Sequence, residues 1–578
     1  MPNKTPNLVF SILLGLFNLS AVGVIVWASY RGLELSDESF YYLGYRYFNS
    51  SPDLSAASFH LIYGRFFSFL DLSLTGVRLL RLFLTLLASL VLYIGIAKHK
   101  APASWPGRFI LFNVILSGML LSYTWTPMAL SYNTMSSILI ACVIGFWLLN
   151  LKSKKQAQNL CWAILGGLFV LLFFIKATNL ILLPLVLFGE LYWRYIQNSQ
   201  KKRIPKLSPG SIITFVLGIL GMLIFVSRGV GPIPETVDTH LQQLFGLANT
   251  DSTHTFSYLW NKYYTNAEMV FLKLLFPVLS ILILYIFAKV YSRKSKDETF
   301  TWPIKLFKIL GIIILLVFIV HNEYWKGGIQ YRYHMLIPFI FGFVFVLLNQ
   351  NIESEKINFI FLLGLLSVPV AGSIGTNNGL SAQILFYGVF VFLLIYYVIQ
   401  SSKATWYTYI ILGIMMLIAT SQVISGTVLR PYRLSPLDGN KNKLYGVDAL
   451  NNLKVDTAVF ELSENLKSLK TIDSEYIFTY SGMMGVNLLL DKKPYSLEWF
   501  NESDDEKICL IITKSQITSD NILFMIPEKF PLTEKVISCF AEKGIDFKAD
   551  YLKIKSFECF YPRNNTNITL EVYQHVSK

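Results

Sequence analysis

Apolar runs of about 16 to 24 residues recur from the start of the chain to about residue 425, each about long enough to cross a bilayer as a helix. No other feature restricts the fold so strongly. In lipid a backbone must satisfy its own N–H and C=O groups, so each such run is expected to be helical. The runs fall at 8–28, 74–97, 108–124, 132–150, 160–175, 177–193, 210–227, 269–290, 304–321, 332–348, 357–373, 380–400 and 405–425, about thirteen spans. Composition agrees. With 53% hydrophobic and 15% charged residues, too few polar side chains remain to clothe several soluble domains. The first run is too long for a signal-peptide core and lacks a small-x-small cleavage site, so it is expected to stay as a signal anchor.

The net charge of +14 could suggest nucleic acid, but its placement argues otherwise. "KHKAPASWPGR" (98–108), "LKSKKQAQ" (151–158), "QKKRIPK" (200–206) and "YSRKSK" (291–296) occupy alternate loops between spans. That is the positive-inside bias, and it makes those loops cytoplasmic. No nucleic-acid partner is expected. With an odd number of spans, 29–72, 228–268, 322–331, 373–381 and everything after about 426 lie outside. A bacterial inner membrane fits, with the C-terminal part extracytoplasmic. The absence of a visible internal repeat weakens a transporter built from inverted halves.

The chain therefore divides into a membrane domain, 1–425, and a soluble domain, 426–578. In the second, β-like runs ("YIFTY", "KICLIIT", "NILFMI") alternate with a helix-like stretch, "DTAVFELSENLKSLK". A small α/β domain is expected. The five cysteines have no metal-ligand spacing. Cys142 and Cys161 fall in apolar runs, as inert buried side chains do. Cys509, Cys539 and Cys559 lie in the extracytoplasmic part, where a disulfide can persist, and Cys539 with Cys559 is the pair expected.

The first outer loop, 29–72, is too long and too aromatic for a linker. "SDESFYYLGYRYF" and "SAASFHLIYGRFFSFL" read as two amphipathic helices lying in the interface. Asp37 and Glu38 open the first of them. Ser36 or Asp37 could cap that helix, and acids in a first turn suit its dipole. On that account the pair does no chemistry.

An acid pair after the first span followed by aromatic juxtamembrane helices resembles the GT-C membrane glycosyltransferases, in particular the protein O-mannosyltransferases and the bacterial aminoarabinose transferases that modify lipid A. In those families a His-Pro-Pro-x-Tyr segment precedes the second span. Here "HLIYGRFFSFL" keeps His60 and Tyr63 and lacks both prolines. "GVRLLRLFLTLLASLVLY" is similar to the start of their second span. "GGLFVLLFFIKATNLILLPLVLF" resembles their glycine-rich fifth helix, with Lys176 matching a lysine and Ala177 replacing a glycine. "QYRYHMLIPF", with Arg332, resembles an aromatic-rich late helix. The resemblance spans most of the chain in arrangement, through short and degenerate motifs.

It implies a sugar donor on a polyprenyl phosphate, drawn from the membrane lipids, and an acceptor hydroxyl on a glycolipid, glycan or protein. Asp37 would be the general base of one inverting displacement, so a second catalytic carboxylate is not demanded. Glu38 would be its catalytic partner, orienting the acceptor, or a metal ligand in the subset of these enzymes that use a divalent ion. Lys176 and Arg332 would meet the donor phosphate, because cations at membrane depth are costly and usually functional. His60 and Tyr63 would bind donor. The alternative for Lys176, Arg78 and Arg81 is snorkelling to the interface. His240 and His254 are expected to be surface or structural residues, and Asn377 and Asn378 turn formers.

Two rivals stand beside this one. An O-antigen polymerase or ligase also has many spans and a large outer loop, but its essential Arg and His lie in late loops. A lipid-linked saccharide flippase would carry charge along mid-helix positions, and the inner thirds of these spans are almost free of it.

Overall fold

In the computed structural model, residues 8–48, 59–100, 104–198, 208–228, 232–250, 256–294, 302–321, 323, 359–375, 383–401, 406–562 and 566–576 are described. The chain begins with α1 (Leu8–Ser29), then two short helices of the outer loop, α2 (Asp37–Arg46) and α3 (Phe59–Phe67). The helices α4 (Leu74–Lys100), α5 (Trp105–Leu120), α6 (Tyr132–Leu151), α7 (Lys155–Ile175), α8 (Leu182–Asn198) and α9 (Pro209–Ser227) follow. Later helices run Phe256–Lys294, Trp302–His321, Phe359–Ser373, Gly388–Ser401 and Trp406–Ile424. Among the described residues, seven helices are long and apolar enough to cross a membrane. The expected span at 332–348 lies outside the described residues, and with it Arg332. The span expected from 380 starts later, at Gly388.

Polar side chains and small residues join these helices where hydrophobicity alone cannot. Asn18 on α1 donates to the Asn113 side chain on α5 at 2.9 Å, and Ser117 donates back to Asn18 at 2.7 Å. Between α7 and α9 the backbones nearly touch. A Cβ on Gly166 would lie 2.2 Å from the Phe215 carbonyl oxygen, and one on Gly218 would lie 2.0 Å from that of Ala163.

The last helix ends in a π turn, Ser425–Leu429, and the chain then enters an α/β region. Its small ribbon pairs β1 (Asn442–Lys443) with β2 (Lys454–Val455). The main sheet has β3 (Tyr476–Phe478), β4 (Lys493–Pro494), β5 (Ile522–Pro527), β6 (Tyr551–Tyr561) and β7 (Thr566–His575) in the order β4-β3-β5-β7-β6. β3 is parallel to β4 and β5, while β7 is antiparallel to β5 and β6. "YIFTY" and "NILFMI" supply strands as expected, whereas "KICLIIT" lies in a helix, Asp505–Lys514. Its buried residues Ile508, Ile511 and Ile512 follow a three-and-four spacing, a helical period that outweighs β-branched composition.

The disulfide also differs from expectation. Cys509 pairs with Cys539, 30 residues later, and Cys559 is a buried free thiol on β6. The two bonded cysteines sit on neighbouring helices, Asp505–Lys514 and Glu534–Glu542, while Cys559 faces into the core from the strand.

The α/β region is joined to the first outer loop by backbone hydrogen bonds. Lys454 N–H donates to Tyr30 O at 2.9 Å, Gly32 N–H to Lys454 O at 2.8 Å, and Gly485 N–H to Leu35 O at 2.7 Å. Phe40 packs on Trp499 with ring centroids 5.4 Å apart, and Arg46 pairs with Asp491 at 3.1 Å.

Candidate active site

The turn from α1 into α2 reads "LELSDES", and its three acids meet three different environments. Glu34 is buried between two buried leucines, Leu33 and Leu35. Its carboxylate accepts from Ser36 N–H at 2.9 Å, from the Ser36 hydroxyl and from Glu38 N–H at 2.7 Å. Glu34 therefore satisfies the start of α2 from inside, and Ser36, the N-cap residue, makes no side-chain cap bond. Burial, helped by the negative charge of Asp37, lifts the Glu34 carboxyl to about 8.

Glu38 points inward to Arg78. Arg78 Nε donates to Glu38 Oε1 at 2.9 Å and Nη2 donates to Oε2 at 2.5 Å, with the two side chains 0% and 1% exposed. The remaining guanidinium hydrogens go to the carbonyls of Ser29 (3.1 Å), Arg31 (2.8 Å) and Gly32 (2.7 Å). Ala129 N–H adds a third donor to Glu38 at 2.7 Å. A bidentate, desolvated pair of this kind is geometrically specific. Arg78 therefore does not snorkel as expected, and Glu38 is buried against it rather than open to solvent. Arg81, one turn on, is equally buried, donating to the carbonyls of Pro127 and Ser122.

Asp37 is different. Its side chain is 18% exposed, its Oδ1 accepts from Arg433 Nη1 at 2.9 Å, and its Oδ2 accepts from the Tyr432 hydroxyl. Arg433 also donates to the Ser36 hydroxyl at 2.7 Å. Tyr41, Trp125, Tyr132, Tyr432 and Arg433 are half-buried like Asp37, while Phe40, Leu43, Thr124 and Ala129 beside them are buried. Tyr41 and Tyr132 stand 6.4 Å apart, and Trp125 meets Tyr432 edge-on at 4.7 Å. Burial and then the Asp37 charge push the Tyr432 phenol well above its usual range, so it remains a donor. Burial disfavours the Arg433 charge, but the Asp37 carboxylate beside it outweighs that and raises the guanidinium above its ordinary value. A carboxylate with about four acceptor positions can serve both partners and still receive a substrate hydroxyl.

Lys176 ends α7, and the expectation of snorkelling does not hold for it either, since it is buried. Its Nζ donates to Gly372 O at 2.5 Å, and Tyr387 donates to the same carbonyl at 2.9 Å.

His60 and Tyr63, expected to bind donor, are buried at 1% and 0% exposure. His60 lies under Gly44, where a Cβ would be 1.8 Å from its Nδ1, and burial lowers it to about 4. His240 is structural, its Nε2 3.1 Å from the Phe173 carbonyl. His254, Asn377 and Asn378 lie outside the described residues. Among the described residues no group of three His, Cys, Asp or Glu side chains is placed to hold a metal ion. Glu38 is buried and already neutralised by the Arg78 guanidinium, which does not suit it to a ligand role. A cavity of about 450 Å³ opens near the far ends of α4 and α6, lined by Ile96, Trp147, Leu151 and Val186 among others, but it is apolar and away from Asp37.

Sequence reasoning missed Glu34, Trp125, Tyr132, Tyr432 and Arg433. Two signals were there to read: an acid flanked by leucines in "LEL", and "LRPYRL" directly after the last span.

No family model matches the chain, and no curated protein does. Among solved structures it is similar to ArnT from Cupriavidus metallidurans in the apo state, at 11% identity over 97% of each chain, with a TM-score of 0.36. At that level of superposition the likeness carries no argument about chemistry.

Proposed function

We propose that this chain is a membrane glycosyltransferase that moves a sugar from a polyprenyl-phosphate donor to an acceptor hydroxyl at the outer face of the membrane, with inversion. The division between adjacent acids supports it most: Glu38 is locked by Arg78, while Asp37 remains partly exposed among aromatic side chains. An acceptor hydroxyl is a weak nucleophile until a base within hydrogen-bond reach takes its proton. Asp37 is that base. It sits at the first residue of α2, where the helix dipole favours negative charge. As the acceptor oxygen bonds to the anomeric carbon, the bond to the donor phosphate breaks and its electron pair leaves on phosphate. Lys176, which shares the Gly372 carbonyl with Tyr387, is the cation proposed for that phosphate, and Arg332 is a second candidate. Glu38 positions Asp37 by anchoring α2 to α4 through Arg78. The membrane domain 1–425 carries the reaction, and 426–578 lies outside a bacterial inner membrane. A glycolipid, glycan or protein acceptor would enter there.

Asp37→Asn tests the base. Capping cannot explain a loss, because Glu34 makes the bonds at the start of α2. The change is nearly isosteric, so insertion and folding should be normal. Losing a general base typically costs about 100- to 10,000-fold in rate. A well-folded Asp37→Asn protein transferring sugar at the wild-type rate would sink the assignment.

A further inference from the structure

Tyr432 stands where a reacting hydroxyl would have to stand. Its phenol donates to Asp37 Oδ2, while Arg433 holds Oδ1 from the other side. A phenol and an alcohol offer the same kind of O–H donor, and the acceptor of the proposed reaction must offer its own to this carboxylate. The contact is held in place by its surroundings. Trp125 meets the Tyr432 ring edge-on at 4.7 Å, and both Trp125 (φ 50°) and Arg433 (φ 52°) adopt left-handed backbone conformations that side chains rarely take. Such conformations persist only where the neighbouring structure imposes them, and they concentrate at functional sites.

We propose that Tyr432 is a stand-in for the acceptor hydroxyl, covering Asp37 until the acceptor displaces it and thereby keeping water from the base while donor is bound. The proposal rests on the reading of Asp37 as base. Its chemistry is a competition. Without the cover, Asp37 takes a proton from water, the water oxygen bonds to the anomeric carbon, and the bond from that carbon to phosphate breaks with its electrons on phosphate. Donor and water become free sugar and polyprenyl phosphate, and no acceptor is modified.

Tyr432→Phe in the full-length chain tests this, since it removes one oxygen and keeps the ring that Trp125 packs against. A hydrogen bond to a charged group is worth enough to give roughly a tenfold effect. Labelling of Asp37 by a water-soluble carbodiimide, read by peptide mass spectrometry, should therefore rise about tenfold over wild type. With undecaprenyl phosphate carrying tritiated aminoarabinose or mannose and no acceptor present, release of free sugar should rise by a similar factor. Labelling unchanged in the Phe variant overturns the cover, whether or not either sugar is released. Labelling that rises without added release from a donor the wild type transfers also overturns it. Asp37→Asn is run in parallel: if it transfers sugar like the wild type, the base reading fails. If it is inactive while Tyr432→Phe behaves as wild type, only the cover fails.

Discussion

Asp37 and Glu38 are neighbours with opposite surroundings, because successive side chains on a helix point ~100° apart. Glu38 turns toward the helix bundle and meets Arg78, 40 residues later, while Asp37 turns to the partly exposed side and meets Arg433. Glu38→Gln should therefore act on stability first. It leaves the Arg78 guanidinium buried without its counter-charge, and breaking such a pair by one partner typically costs about 3–5 kcal/mol. A thermal melt in detergent should show a clear fall in Tm, and an unchanged Tm would mean that the backbone carbonyls around Arg78 suffice. That an acid pair begins the loop was legible in the sequence. Which of the two faces inward was not, since the deciding partners are Arg78 and the Ala129 N–H, far along the chain.

At the scale of elements, local signals held where the physics is local. Apolar length marked the helices, and aromatic-rich, amphipathic composition marked α2 and α3. "KICLIIT" misled because its β-branched residues suit a strand, while its burial pattern is helical. The cysteine pairing could not be read at all, since it depends on which helices pack together. Cys509–Cys539 closes a 30-residue separation, and a link over a loop of that length is worth about 3–4 kcal/mol in the chain-entropy account. Reduction, or Cys509→Ser, should lower the unfolding transition of the α/β region by an amount of that order. Cys559→Ser should leave the disulfide intact. Peptide mapping under non-reducing conditions checks both, and a Cys539–Cys559 peptide would overturn the pairing.

At the scale of the whole molecule, the α/β region and the first outer loop form one surface. Lys454 is stitched between Tyr30 and Gly32, Gly485 bonds to Leu35, and Tyr432 and Arg433 close over Asp37. Nothing in the sequence predicts this, because the partners are separated by roughly the length of the membrane domain. Yet it bears on a quantity that the sequence did address, the parity of the spans. Elements joined by backbone hydrogen bonds lie on the same side of a membrane, whatever the number of helices between them. Two reporters, one inserted into 29–72 and one fused after Lys578, should therefore read the same compartment. By the positive-inside bias, the basic clusters at 98–108 and 151–158 are expected to place the opposite ends of α4, α5, α6 and α7 in the cytoplasm. Both reporters should then be active only outside it. Opposite readings from the two would break the joined surface and separate Tyr432 from Asp37. A shared cytoplasmic reading would keep that surface and reverse the orientation, leaving a polyprenyl-phosphate donor at the outer face without its base.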